Sequence, residues 1–196
     1  MKKSAATLRP MGRLERGFTL VEVLISVVIL SFGLLGMVGL QASSLQANRD
    51  ARLQSTAVAL ARELAEMMRG NKDVALATGS AFLGSFTTSL VPATPNYCLS
   101  VGSTCATATE VATAELTEWL ARVDSELPGA RVTICHDATP FHATTSLPQW
   151  ACTGASADPI VIKIGWTRSD TRTGSGALSL ADRPSVVLSA TPGSTV

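Results

Sequence analysis

The sequence predicts an α+β chain: one long N-terminal helix, then a small antiparallel sheet head with a second helix. Three observations predict it. An apolar run from Phe18 to Leu40 carries a single charged residue, Glu22. Helix-forming residues continue without Pro or Gly from Gln41 to Arg69. Beyond Pro128, β-branched and aromatic segments alternate with turn-forming Gly, Pro, Ser and Asp. A helix followed by several short strands is an α+β order, not an alternating α/β one.

The apolar run comes first. Its 23 residues are long enough to cross the roughly 30 Å hydrocarbon core of a bilayer as a helix. Lys2, Lys3, Arg9, Arg13 and Arg16 precede it, against one acid, Glu15. That bias holds the N-terminal segment in the cytoplasm and sends everything after Leu40 outward. A carboxylate in such a helix costs roughly 2.5–3.5 kcal/mol at mid-membrane and less near an interface, so Glu22 is a functional candidate by default. It lies four residues after Phe18, one turn along the same face. Cleavage between Gly17 and Phe18 would create an amine about 6 Å of helix rise from that carboxylate.

These residues carry a resemblance. Gly17-Phe18-Thr19-Leu20-Val21-Glu22 resembles the N-terminal signature of the type IV pilin and type II secretion pseudopilin superfamily. The matching features are a short basic leader, Gly before the cut, Phe after it, Glu five residues into the mature chain, and an apolar helix. The resemblance implies a pilin-like fold and four segments. Residues 1–17 are a leader removed by a prepilin peptidase, and 18–40 are the transmembrane half of a spine helix. Residues 41–70 are its amphipathic half, and 71–196 form a periplasmic or extracellular head. It further implies cleavage at Gly17/Phe18, N-methylation of Phe18, and subunit assembly through Glu22, which neutralises a neighbour's amine. The implied partners are major and minor pilins, the peptidase, the inner-membrane assembly machinery, and membrane lipid before assembly. The implied location is the inner membrane as a single-pass protein, then the pilus or cell surface. No cofactor is implied.

Downstream of the membrane run, Leu45, Arg49, Leu53, Ala57, Leu60, Leu64 and Met67 follow helical steps of three and four. Gly70-Asn71 supplies a stop. Phe18 to Arg69 then makes about 78 Å of nearly continuous helix. Gly33, Gly36 and Gly39 interrupt its apolar half. They fit close packing against neighbouring helices, and equally the ordinary glycine content of membrane helices. Many major pilins carry a proline near that point, and this chain has none.

Residues 71–109 read as an irregular loop with one short strand around Ser85–Val91. A second helix is expected from Glu110 to Leu127, with Val111, Leu116, Trp119, Leu120, Val123 and Leu127 as its apolar stripe, stopped by Pro128-Gly129. Strands are expected at Ala130–Cys135, Pro159–Trp166 and Ser185–Ser189. Cys98, Cys105, Cys135 and Cys152 all follow the membrane run, an even count that favours disulfides in an exported head. Four cysteines permit three pairings. The expected one is Cys98 with Cys105, stapling a loop poor in apolar residues, and Cys135 with Cys152, closing a loop against the sheet.

The later helix, the strand ending in Cys135-His136-Asp137, the stretch Trp150-Ala151-Cys152 and the strand Ile160–Trp166 resemble the minor-pilin branch of type IV pilus modification proteins, PilV. The function so implied is a minor pilin that initiates, assembles or modifies a type IV pilus. The alternatives are a type II secretion pseudopilin, which shares the N-terminal signature, and an adhesin or DNA-uptake pilin whose head binds a ligand.

Composition narrows the remaining classes. Without the leader the formal charge falls from +1 to −3, which offers no basic footprint for nucleic acid. Two His and an Asp within seven residues, His136, Asp137 and His142, lack an evident further ligand, so no metal site is expected. Asp158, Asp170 and Asp182 have no calcium-loop pattern around them and read as turn residues. There is no Gly-x-Ser-x-Gly elbow, phosphate-binding loop or dinucleotide glycine motif. The chain reads as a substrate of processing and not as an enzyme.

Overall fold

The computed structural model describes residues 17–87, 89–92, 94–169, 178–179 and 183–193. The basic leader residues up to Arg16, and Asp170 and Asp182, lie outside the described residues. The elements in chain order are α1 (Leu20–Gly70), α2 (Lys72–Ala75), β1 (Gly84–Thr87), α3 (Ala108–Glu126), β2 (Arg131–His136), β3 (Ile160–Gly165), β4 (Arg168–Ser169), β5 (Leu178–Ser179) and β6 (Val186–Ala190). The chain divides into two compact units, 1–46 and 47–196.

In the first unit α1 is apolar on every side. Leu24, Val28, Leu30, Phe32, Leu35 and Leu40 are each more than half exposed. A helix that is hydrophobic all round needs a covering, and the described residues do not supply one.

In the second unit the remainder of α1 is one-sided. Ala57, Leu60, Ala61, Leu64, Ala65 and Met68 are buried, with Leu53 and Met67 packed at the margin. The expected stripe therefore starts later than its spacing suggests, since Leu45 is 71% exposed and Arg49 is also exposed. The stop at the other end is explicit. Asn71 Nδ2 donates to the Met67 carbonyl at 3.1 Å and to Glu115 Oε2 of α3 at 2.7 Å, tying the helix terminus to its neighbour.

Helix α3 begins two residues before the expected Glu110 because Thr107 caps it. The Thr107 hydroxyl accepts from Glu110 N–H at 3.2 Å, while the Glu110 carboxylate accepts from Ala106 N–H at 2.6 Å. This is the reciprocal Thr-x-x-Glu cap, shifted by one residue on its return arm. Trp119 is fully buried, and its indole N–H donates to the Leu60 carbonyl of α1 at 3.0 Å. Arg122 and Glu63 form an ion pair across the same two helices at the solvent edge.

The sheet is antiparallel in the order β1-β2-β3-β6. Register sets its two faces. Val132 opposes Ile164, Ile134 opposes Ile162, and Phe86 opposes Val132, all on the side of the helical core. Thr133 opposes Lys163 and Ser85 opposes Thr133 on the other side. Strand β1 is shorter than the expected Ser85–Val91, ending at Thr87. Strands β4 and β5 pair with each other in a separate ribbon.

Candidate functional site

The sequence directs attention to Gly17, Phe18 and Glu22. Gly17 and Phe18 precede the first helical turn, and Phe18 is 83% exposed. A Cβ built on Gly17 would meet none of the described residues within 4 Å. Thr19 begins the helix. Its hydroxyl and carbonyl accept from Glu22 N–H at 3.3 and 3.1 Å, and its carbonyl also accepts from Val23 N–H at 3.3 Å. Thr19 is therefore an N-cap and Glu22 stands at the third helical position, where a carboxylate faces the positive end of the helix dipole. Thr-x-x-Glu before an apolar run is a start signal legible in the sequence, and Thr19 to Glu22 carries it.

Phe18, Glu22, Ser26 and Leu30 succeed one another at intervals of four and line one open groove along the helix. The Ser26 hydroxyl donates back to the Glu22 carbonyl at 2.7 Å, which keeps that polar atom on the helix. Glu22 is thus an exposed carboxylate set among exposed apolar side chains.

The four cysteines form two bonds, Cys98–Cys105 and Cys135–Cys152, with Cα–Cα distances of 5.0 and 6.3 Å. The first closes a loop beside the start of α3, where Cys98 N–H donates to Asn96 Oδ1 at 2.9 Å. The second closes the long β2–β3 loop. Arg131 stacks its guanidinium on the Trp150 ring of that loop at 4.2 Å, a cation–π contact.

The three groups weighed as metal ligands do not converge. His136 Nδ1 meets the Asp158 carbonyl at 2.7 Å, His142 Nδ1 accepts from Thr144 N–H at 3.3 Å, and Asp137 binds Lys163. Among the described residues no group of three His, Cys, Asp or Glu side chains is placed to hold a metal ion. The sequence does not signal the Lys163 pairing, because a lysine inside Ile-Val-Ile-Lys-Ile reads as an outward residue of an amphipathic strand.

Comparison with known families now bears on both units. Residues 12–38 match the prokaryotic N-terminal methylation motif. Residues 39–117 match the family described as type IV pilin Tt1218, from the second half of α1 into α3. Over those residues the chain is similar to a type IV pilin domain behind an N-methylation motif. No curated protein and no solved structure gives a match. The long apolar helix, further helices and four-stranded antiparallel sheet agree with the pilin fold. In a pilin-type chain, an apolar helix exposed all round fits membrane anchoring, and the leader motif fits peptidase processing and assembly with pilus partners in general.

Proposed function

We propose that this chain is a minor pilin of a type IV pilus, of the PilV kind, acting as a structural and assembly subunit. The observation that carries the reading is one constellation: Gly17-Phe18, then a capped helix start with Glu22 as the only charge in an exposed apolar run. A prepilin peptidase cuts after Gly17 and the new Phe18 amine is methylated. While in the membrane, the apolar half of α1 is covered by lipid, with the N-terminus cytoplasmic and the head periplasmic. On assembly, the helices of other pilins replace lipid around it.

Glu22 then pairs with the N-terminal amine of a neighbouring subunit. In an apolar bundle each of these charges is costly alone, and pairing removes that cost from both. The head, including both disulfide-closed loops, is left to face outward and to contact other minor pilins. Nothing in this reading asks the head to catalyse a reaction.

N-terminal peptide mass analysis of the protein from membranes and from sheared pili tests the proposal. Mature chain should begin at methylated Phe18. Retention of Met1 or Lys2 in the membrane form would overturn it. Loss of twitching with intact exoprotein secretion, in a strain lacking the gene, would place the subunit in a pilus and not in a secretion pseudopilus.

A further inference from the structure

Lys163 sits in the middle of β3, and its side chain is fully buried. Ile160, Ile162 and Ile164 face the helical core, so the alternation of a strand sends Lys163 to the opposite face of the sheet. What covers it there is the β2–β3 loop. The ammonium donates to Asp137 Oδ2 at 2.5 Å and to the Ala151 carbonyl at 2.6 Å. Asp137 follows Cys135 by two residues, and Ala151 immediately precedes Cys152. One cation therefore pins both flanks of the Cys135–Cys152 bond.

Burial alone does not call for a lysine here. A buried ion pair is often no more stabilising than apolar side chains of the same volume. What a cation adds is direction: it fastens two chain segments that are remote from each other along the loop. Backbone bonds from Gly154 N–H to the His136 carbonyl and from Asp137 N–H to the Pro159 carbonyl, each 2.9 Å, hold the chain on the C-terminal side of Cys152. Lys163 acts on the N-terminal side of Cys152, through the Ala151 carbonyl.

We propose that Lys163 is a positioning residue for disulfide formation, gathering the loop so that Cys152 meets Cys135 in preference to the other thiols. The oxidant is an exogenous disulfide. Cys152, the exposed member of the pair, attacks it as thiolate to give a mixed disulfide and one thiol. The Cys135 thiolate then attacks the Cys152 sulfur and releases the second thiol. The two cysteines lose two electrons and two protons, and the donor disulfide gains them. The coupling is reciprocal, so whatever the pinned loop adds to the bond, the bond adds to the pinned loop.

The experiment equilibrates the full chain, purified in detergent, with reduced and oxidised glutathione and maps both disulfides by mass spectrometry. Cys98–Cys105 is the internal control, since it rests on Asn96 and the start of α3. Lys163→Met should lower the equilibrium constant for Cys135–Cys152 by about tenfold, within the usual span of coupling between sites. Cys98–Cys105 should be unchanged. Asp137→Asn, which keeps the side-chain shape but leaves the buried ammonium without its counter-charge, should give a fall confined to the same bond. Unchanged constants in both variants would overturn the proposal. So would an equal fall of both disulfides in both variants, which would assign Lys163 to general stability.

Discussion

The backbone N–H of Glu22 donates to the Thr19 hydroxyl at 3.3 Å, so the residue proposed to bind a neighbour's amine also belongs to the cap of its own helix. The two roles separate by substitution. Glu22→Gln keeps a side chain suited to the third helical position and removes the charge. Glu22→Ala removes both, and Thr19→Ala removes the cap while leaving the carboxylate.

All three variants should insert in the membrane and be cleaved, since none makes the apolar run more polar. Glu22→Gln and Glu22→Ala should both fail to enter sheared pili. Thr19→Ala should enter them, with the helix start weakened by about 0.5–2 kcal/mol. Normal incorporation of Glu22→Gln would show that capping, and not charge, is what position 22 contributes.

The Trp119 indole bond to the Leu60 carbonyl fixes the depth at which α3 packs on α1. Trp119→Phe retains an aromatic ring and loses the N–H, so it should cost roughly 1 kcal/mol for the hydrogen bond, plus a share for the lost volume. Trp119→Ala should cost about 3–5 kcal/mol by opening a cavity in the core. Chemical denaturation of the full chain in detergent, followed by tryptophan-independent circular dichroism, measures both.

The two disulfides should contribute unequally. The bonded cysteines are separated by 7 positions in one case and 17 in the other. Chain-entropy arguments assign about 3 kcal/mol to a loop of roughly 15 residues and less to a shorter one. Cys135→Ser should therefore lower the melting temperature more than Cys98→Ser, read on each variant under the same detergent conditions. The reverse order would mean that native-state contacts, and not unfolded-state entropy, set the contributions.

Much of this was legible because the signals are local. The apolar run, Glu22 within it, the helical stripe from Leu53 onward and the strands around Ile134 and Ile162 each follow from composition and period. The early part of the stripe misleads, because Leu45 satisfies the spacing without a sheet or helix to pack against. The start of α3 falls two residues before the expected Glu110, because the cap at Thr107 lies in an Ala-Thr-rich approach. Lys163 could not be read at all. Its burial depends on a loop folding back, with partners 12 and 26 positions away, and neither period nor propensity carries that information.

The turn from α3 into β2 rests on a glycine that the local sequence marks only as a helix stop. Gly129 has φ +57, a conformation that costs an L-residue about 1–2 kcal/mol, and a Cβ there would run into the Thr167 hydroxyl. Thr167 cannot easily retreat. It is buried, and its N–H donates to the Pro128 carbonyl at 2.9 Å. Gly129→Ala should thus destabilise the head by more than the backbone strain alone. Adding Thr167→Ala should recover the steric part and leave the backbone part, so the double variant falls between wild type and Gly129→Ala. Denaturation midpoints of the three variants measure the division. A double variant no more stable than Gly129→Ala would show that the cost lies in the backbone and that Thr167 accommodates the new methyl group.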